Sequence, residues 1–100
     1  MGVTTPNTVM LDTERKVILN LYAMKKFREI TGMSVLKLKE DDITEEELSA
    51  LTYAALLTYS PDITIEEVDK HVHVGNMTEI YTDIMETSMS PEDKKKPKNK

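Results

Sequence analysis

The chain has no cysteine and no tryptophan, and its 100 residues include only three glycines, four prolines and one phenylalanine. Without cysteine there are no disulfides, no thiolate metal sites and no cysteine nucleophile. No glycine-rich phosphate loop or nucleophile elbow is present, and three glycines leave little room for one. With one Phe and four Tyr, aromatic content is low, and the basic tail, the one segment that could attract phosphate, has no aromatic residue for base stacking. No apolar run approaches the ~20 residues a membrane span needs. The opening Met1-Gly2-Val3-Thr4-Thr5-Pro6 has neither the basic start nor the apolar stretch of a signal peptide. The expectation is a cytoplasmic protein with no membrane partner.

What is present is 39% hydrophobic and 31% charged, ordinary for a globular domain. Seven methionines are many for this length; their flexible thioethers fill irregular core gaps or form adaptable binding surfaces. The net charge of −5 conceals a segregation along the chain. Residues 1–39 hold seven basic and three acidic groups, residues 40–90 hold thirteen acidic groups against Lys70 alone, and residues 91–100 hold five lysines against Glu92 and Asp93. Such a split concerns partners and association more than fold. An acidic body repels phosphate, so no nucleic-acid partner is expected. A basic first segment and an acidic middle segment offer complementary surfaces for a homo-oligomer docked head to tail.

Residues 1–7 read as a disordered N-terminus, residues 8–89 as one domain and residues 90–100 as a charged flexible tail. Apolar alternation predicts two strands, Thr8–Asp12 and Lys16–Leu21, separated by the polar Thr13-Glu14-Arg15. Val17, Leu19 and Leu21 would share one strand face. A first helix is predicted over Tyr22–Thr31, with Leu21, Met24, Phe27 and Ile30 as its stripe and Gly32 as its stop. Met33–Asp42 reads as a connector packed down by Val35, Leu36 and Leu38.

Thr44-Glu45-Glu46-Glu47 is a capping box that opens a second helix. From Ala50 to Tyr59 no charge appears, which predicts a helix central to the fold, with Leu51, Ala55, Leu56 and Leu57 buried. Leu48, Leu51, Ala55 and Tyr59 form one stripe, and Ala54 and Ala55 would let a neighbouring helix approach closely. Ser60-Pro61 ends it. Thr64-Ile65-Glu66-Glu67 is a second capping box, followed by Ile65, Val68 and Val72 along one face and Gly75 as a stop. Asn76 is in place to cap a fourth helix, whose Met77, Ile80, Tyr81, Ile84, Met85 and Ser88 follow helical spacing before Ser90-Pro91. The predicted class is α+β, predominantly helical: an N-terminal β-hairpin followed by about four helices.

Catalytic chemistry finds little support. His71 and His73 lie two apart, so on a helix they point ~200° away from each other and cannot share an ion. The acidic runs Glu40-Asp41-Asp42 and Glu45-Glu46-Glu47 lack the alternation and central glycine of a calcium loop. No cofactor or metal is expected, and a binding protein is expected in place of an enzyme. The residues assigned to partner binding are Met77, Ile80, Tyr81, Ile84 and Met85; packing in the core is the competing use of the same stripe.

The order of segments carries a resemblance. Strand, turn and strand ending in Val17-Ile18-Leu19-Asn20-Leu21 lead into Tyr22-Ala23-Met24-Lys25-Lys26-Phe27-Arg28-Glu29-Ile30-Thr31-Gly32. A helix with Leu51-Thr52-Tyr53-Ala54-Ala55-Leu56-Leu57 and the acid-capped Pro61-Asp62-Ile63-Thr64-Ile65-Glu66-Glu67-Val68 follow. This resembles the tail assembly chaperones of long-tailed bacteriophages over residues 8–86. The resemblance implies a non-enzymatic protein of the host cytoplasm, absent from the mature virion. Its expected partners are tape measure protein, which it keeps soluble, and tail tube protein, which polymerises around that client. It also implies a longer frameshifted form, for which Lys94-Lys95-Lys96 marks a candidate slip site. A structural head–tail connector and a small regulatory adaptor are the alternative expectations.

Overall fold

Ten residues without charge, Ala50–Tyr59, demand burial on more than one side, and the fold is arranged around them. The computed structural model describes residues 6–87. It comprises a two-stranded antiparallel hairpin, β1 (Asn7–Met10) and β2 (Glu14–Val17), then α1 (Leu21–Thr31), α2 (Glu45–Leu56), α3 (Ile65–His71) and α4 (Met77–Glu86). Two short 3-10 turns, Val35–Lys37 and Glu40–Asp42, lie between α1 and α2. The α+β hairpin-and-four-helix architecture is as expected. Residues 1–5, Ser88, Ser90-Pro91 and the lysine tail fall outside the described residues.

α2 is the hub. Leu48, Ala50, Leu51, Thr52, Ala54, Ala55 and Leu56 are all buried on it, with Leu57 just beyond. The helix packs against α1, α3, α4 and β2. Each fully buried Leu of this kind contributes roughly 1.5–3 kcal/mol of apolar transfer free energy. Both capping boxes form as predicted. The Thr44 hydroxyl accepts the Glu47 amide at 3.1 Å and the Glu47 carboxylate accepts the Thr44 amide at 3.0 Å. Thr64 and Glu67 repeat the exchange at 3.2 and 3.1 Å.

At the other end of α2 the partner differs from expectation. The Ala55 carbonyl, one of the last four that a helix leaves unpaired, accepts the Ile18 amide at 3.0 Å. The small side chain at position 55 thus admits extended backbone, not only a neighbouring helix. α2 itself stops at Leu56, and Tyr59, expected in its buried stripe, is 44% exposed beside the Lys16 ammonium.

The hairpin register is Asn7↔Val17, Thr8↔Lys16, Val9↔Arg15 and Met10↔Glu14. Val9 and Val17 face the core while Thr8, Met10, Glu14 and Lys16 face water. Asn7, expected in a disordered stretch, begins the first strand and donates its side-chain amide to the Asp83 carbonyl at 2.8 Å. Glu14 and Arg15, expected in the turn, are strand residues, and the turn is Leu11–Thr13. Asp12 makes this possible by accepting the Thr13 amide and both Nε and Nη2 of Arg15. The Arg15 guanidinium in turn holds the Asp12 carboxyl well below the usual carboxylate range.

The second strand ends at Val17, short of the predicted Leu21, because Asn20 caps α1 by accepting the Ala23 amide at 2.9 Å. Leu21 therefore opens α1 and lies 65% exposed, and Ile30 is 43% exposed. The buried pair on α1 is Ala23 and Phe27, spaced i, i+4, with Met24 packed beside them. The predicted stripe at three-residue spacing was drawn to the larger apolar side chains and passed over Ala23. Gly32 stops α1 with φ of 79°, a conformation that costs other residues a Cβ clash.

Candidate protein-binding surface

α4 carries the five residues assigned to partner binding. It packs on α2 and on β1. Ile80, Tyr81 and Ile84 are buried in the common core, and Met77 and Met85 are half-buried against it. The i, i+4, i+8 spacing is thus used in closing the hydrophobic core, with Ile84 fully buried and Ile80 and Tyr81 nearly so. The two ends of the stripe, Met77 and Met85, are the parts that reach toward solvent.

The start of α4 is set by an unusual turn. Asn76 was expected to cap α4, but its side chain makes no capping bond. Its Oδ1 accepts the His73 amide at 2.8 Å and its Nδ2 donates to the His71 carbonyl at 3.0 Å. The amides of Asn76 and Met77 both donate to the His73 carbonyl, and the Gly75 amide donates to His73 Nδ1 at 3.1 Å. Asn76 therefore clasps the end of α3. A Cβ at position 75 would sit 3.1 Å from the His73 ring, so the turn closes most easily around glycine. The clasp holds Val74 out in water, 88% exposed. His71 closes α3 and His73 belongs to the turn, its Nδ1 engaged by Gly75. Among the described residues no group of three His, Cys, Asp or Glu could hold a metal ion.

Between the start of α2, the end of α3 and the start of α4 lies a groove of about 470 Å³. Leu48, Val72 and Met77 form its floor, Val74 stands at its lip, and Glu45, Glu46 and Asp69 supply negative charge. No lysine or arginine lines it. Asp69 accepts the Ser49 hydroxyl, which steadies α3 on α2 at the rim. A second groove, about 500 Å³, runs along the other side of the same Glu46–Ser49–Asp69 ridge and is bordered by Ile30, Met33 and Ile65. The arrangement suits an apolar side chain flanked by positive charge.

The first groove was not anticipated apart from Met77. The sequence did hold a signal: Val74 is an apolar residue sitting between His73 and Gly75, where a turn was already indicated. No helix among the described residues is long and apolar enough to cross a membrane. No protein-family model, curated protein or solved structure matches the chain.

Proposed function

We propose that the protein is a tail assembly chaperone of a long-tailed bacteriophage, acting in the host cytoplasm. It binds tape measure protein, keeps it soluble and assists the assembly of tail tube protein around it without becoming part of the virion. Support comes first from the resemblance in segment order described above. A second support is physical. Chaperoning an apolar helical client requires apolar side chains that stay in water without collapsing onto the chaperone's own core.

The observation that carries this reading is the pair Val35 and Leu36. Ser34 caps their short turn by accepting the Leu36 amide at 3.1 Å, and the Leu38 amide donates to the Val35 carbonyl. That geometry anchors Val35 at 3% exposure and leaves its neighbour Leu36 at 84%. Met10, near the hairpin turn, is likewise 61% exposed. The hydrogen-bonded turn at Ser34–Leu38 holds Leu36 outward and the register of β1 holds Met10 outward, so their exposure is part of the fold. The acidic charge of residues 40–90 supplies solubility to a protein that displays them.

Co-expression with tape measure protein tests the reading. The chaperone should move the client from the pellet to the soluble fraction, and Leu36→Asp with Met10→Lys should weaken that effect while leaving the melting curve unchanged. A client that is equally insoluble with and without the protein rules the function out. Recovery of the chain in purified particles would instead establish a structural connector.

A further inference from the structure

A third concavity, about 290 Å³, lies between the hairpin and α4. The buried Val9 and Ile80 form its floor, the exposed Met10 stands on one wall, and Glu14, Glu79 and Asp83 surround it. No lysine or arginine lines it. Along α4, Glu79, Asp83 and Glu86 fall at i, i+4 and i+7, so the three carboxylates share one face. Among the described residues the ion pairs are Asp12–Arg15 and Lys26–Glu29, and none of these four acids has a basic partner. The last turn of α4 holds no basic residue, although the negative end of a helix dipole favours one.

The complementary charge is carried by the chain just beyond this face. Lys94, Lys95, Lys96, Lys98 and Lys100 follow Thr87, and Lys94 is seven residues past it. Such a tether spans roughly 15 Å on average and about 25 Å at full stretch. Glu79 lies eight residues before Thr87, roughly 12 Å back along the helix, with Asp83 and Glu86 nearer. Ser90-Pro91 disfavours carrying α4 straight on. A tether matched to its span raises the local concentration of the lysines to the millimolar range, and the acids of α4 are the first they meet.

We propose that the Lys94–Lys96 run doubles back along α4 and straps the hollow between α4 and the hairpin, its ammonium groups on Glu14, Glu79, Asp83 and Glu86. The lysine stems then lie over Met10, apolar against apolar, with their charged heads at the rim. The strap is a salt-sensitive cover on one of the exposed apolar side chains. It stands on charge and reach, and holds whether or not tape measure protein is the client.

Zero-length carbodiimide cross-linking of the full chain, read by mass spectrometry, tests it. An equimolar mixture of isotopically light and heavy chains separates contacts within a chain from contacts between copies. At low salt Lys94–Lys96 should join Glu14, Glu79, Asp83 or Glu86 roughly fivefold or more often than the exposed Glu45, Glu46 and Glu66, within single chains. High salt should remove that preference. Glu79→Gln with Glu86→Gln supplies a second readout. Exposed ion pairs add little to stability, so its melt should overlay the parent, while trypsin should cut after Lys94 and Lys95 severalfold faster at low salt. Cross-links spread evenly over the exposed carboxylates overturn the proposal. So do links mainly between light and heavy chains, or a variant cut at the parent's rate.

Discussion

The hydroxyl of Thr87 accepts the backbone amide of Leu19 at 2.7 Å, and its own proton goes to the Ile84 carbonyl at 2.7 Å. Thr87 is fully buried and Leu19 nearly so, and they are separated by 68 residues. One side chain therefore ties the end of α4 to the extended stretch that leads from the hairpin into α1. Thr87→Val keeps the shape and removes the acceptor, stranding a buried amide. The expected cost is about 1–3 kcal/mol by urea denaturation, with Thr87→Ser retaining most of the stability.

The two faces of α1 give opposite outcomes for similar chemistry. Phe27 is fully buried, and Phe27→Ala should cost about 3–5 kcal/mol through lost apolar contact and a residual cavity. Leu21, which the hydrophobic pattern grouped with it, is 65% exposed, and Leu21→Ala should change stability by no more than about 0.5 kcal/mol. Equal losses at both positions in thermal or chemical melts would contradict the orientation of α1.

Ala55 has no exposed surface, and its carbonyl receives the Ile18 amide. Ala55→Glu forces a carboxylate into the buried C-terminal turn of α2. Domains of this size are stable by only about 5–15 kcal/mol, so an uncompensated buried charge should leave the chain unfolded at room temperature. A cooperative melt near that of the parent would remove α2 from the centre of the fold.

The carboxyl of Asp83 is raised above its usual value of 3.8 by partial burial and by Glu79 and Glu86 on the same helix. Glu14 of β2 lines the same hollow between the hairpin and α4. A raised carboxyl binds its proton more tightly in the folded state. Its favourable contribution is therefore complete below 3.8 and lost as pH rises through the folded-state value. Asp83→Asn mimics the protonated form and leaves the backbone carbonyl that receives Asn7. The variant should have a higher urea midpoint than the parent near neutral pH, and the gap should close below 3.8.

Local rules determined a large part of this protein. The capping boxes at Thr44 and Thr64 form as written because their hydrogen bonds join residues three apart and need no tertiary partner. The stop at Gly32 and the burial of Leu51, Ala55, Leu56 and Leu57 follow from backbone sterics and from a charge-free helix that must be covered.

Tertiary structure decided what periodicity leaves open. Leu21, Phe27 and Ile30 satisfy helical spacing equally well, yet of the three only Phe27 is buried, because Asn20 fixes where α1 begins and thereby its rotation. Arg15 looked like a turn residue until Asp12 and Ser60 gave its guanidinium partners, the second of them 45 residues away. The stripe on α4 was legible as amphipathic, but whether it met the core or another chain depended on the neighbouring elements. α2 and β1 cover its centre. Val74 lies at the lip of a groove because the Asn76 clasp turns it outward while α2 supplies the opposite wall. A one-dimensional pattern records which side chains seek company; the company itself is set by bonds and contacts between residues far apart in the chain.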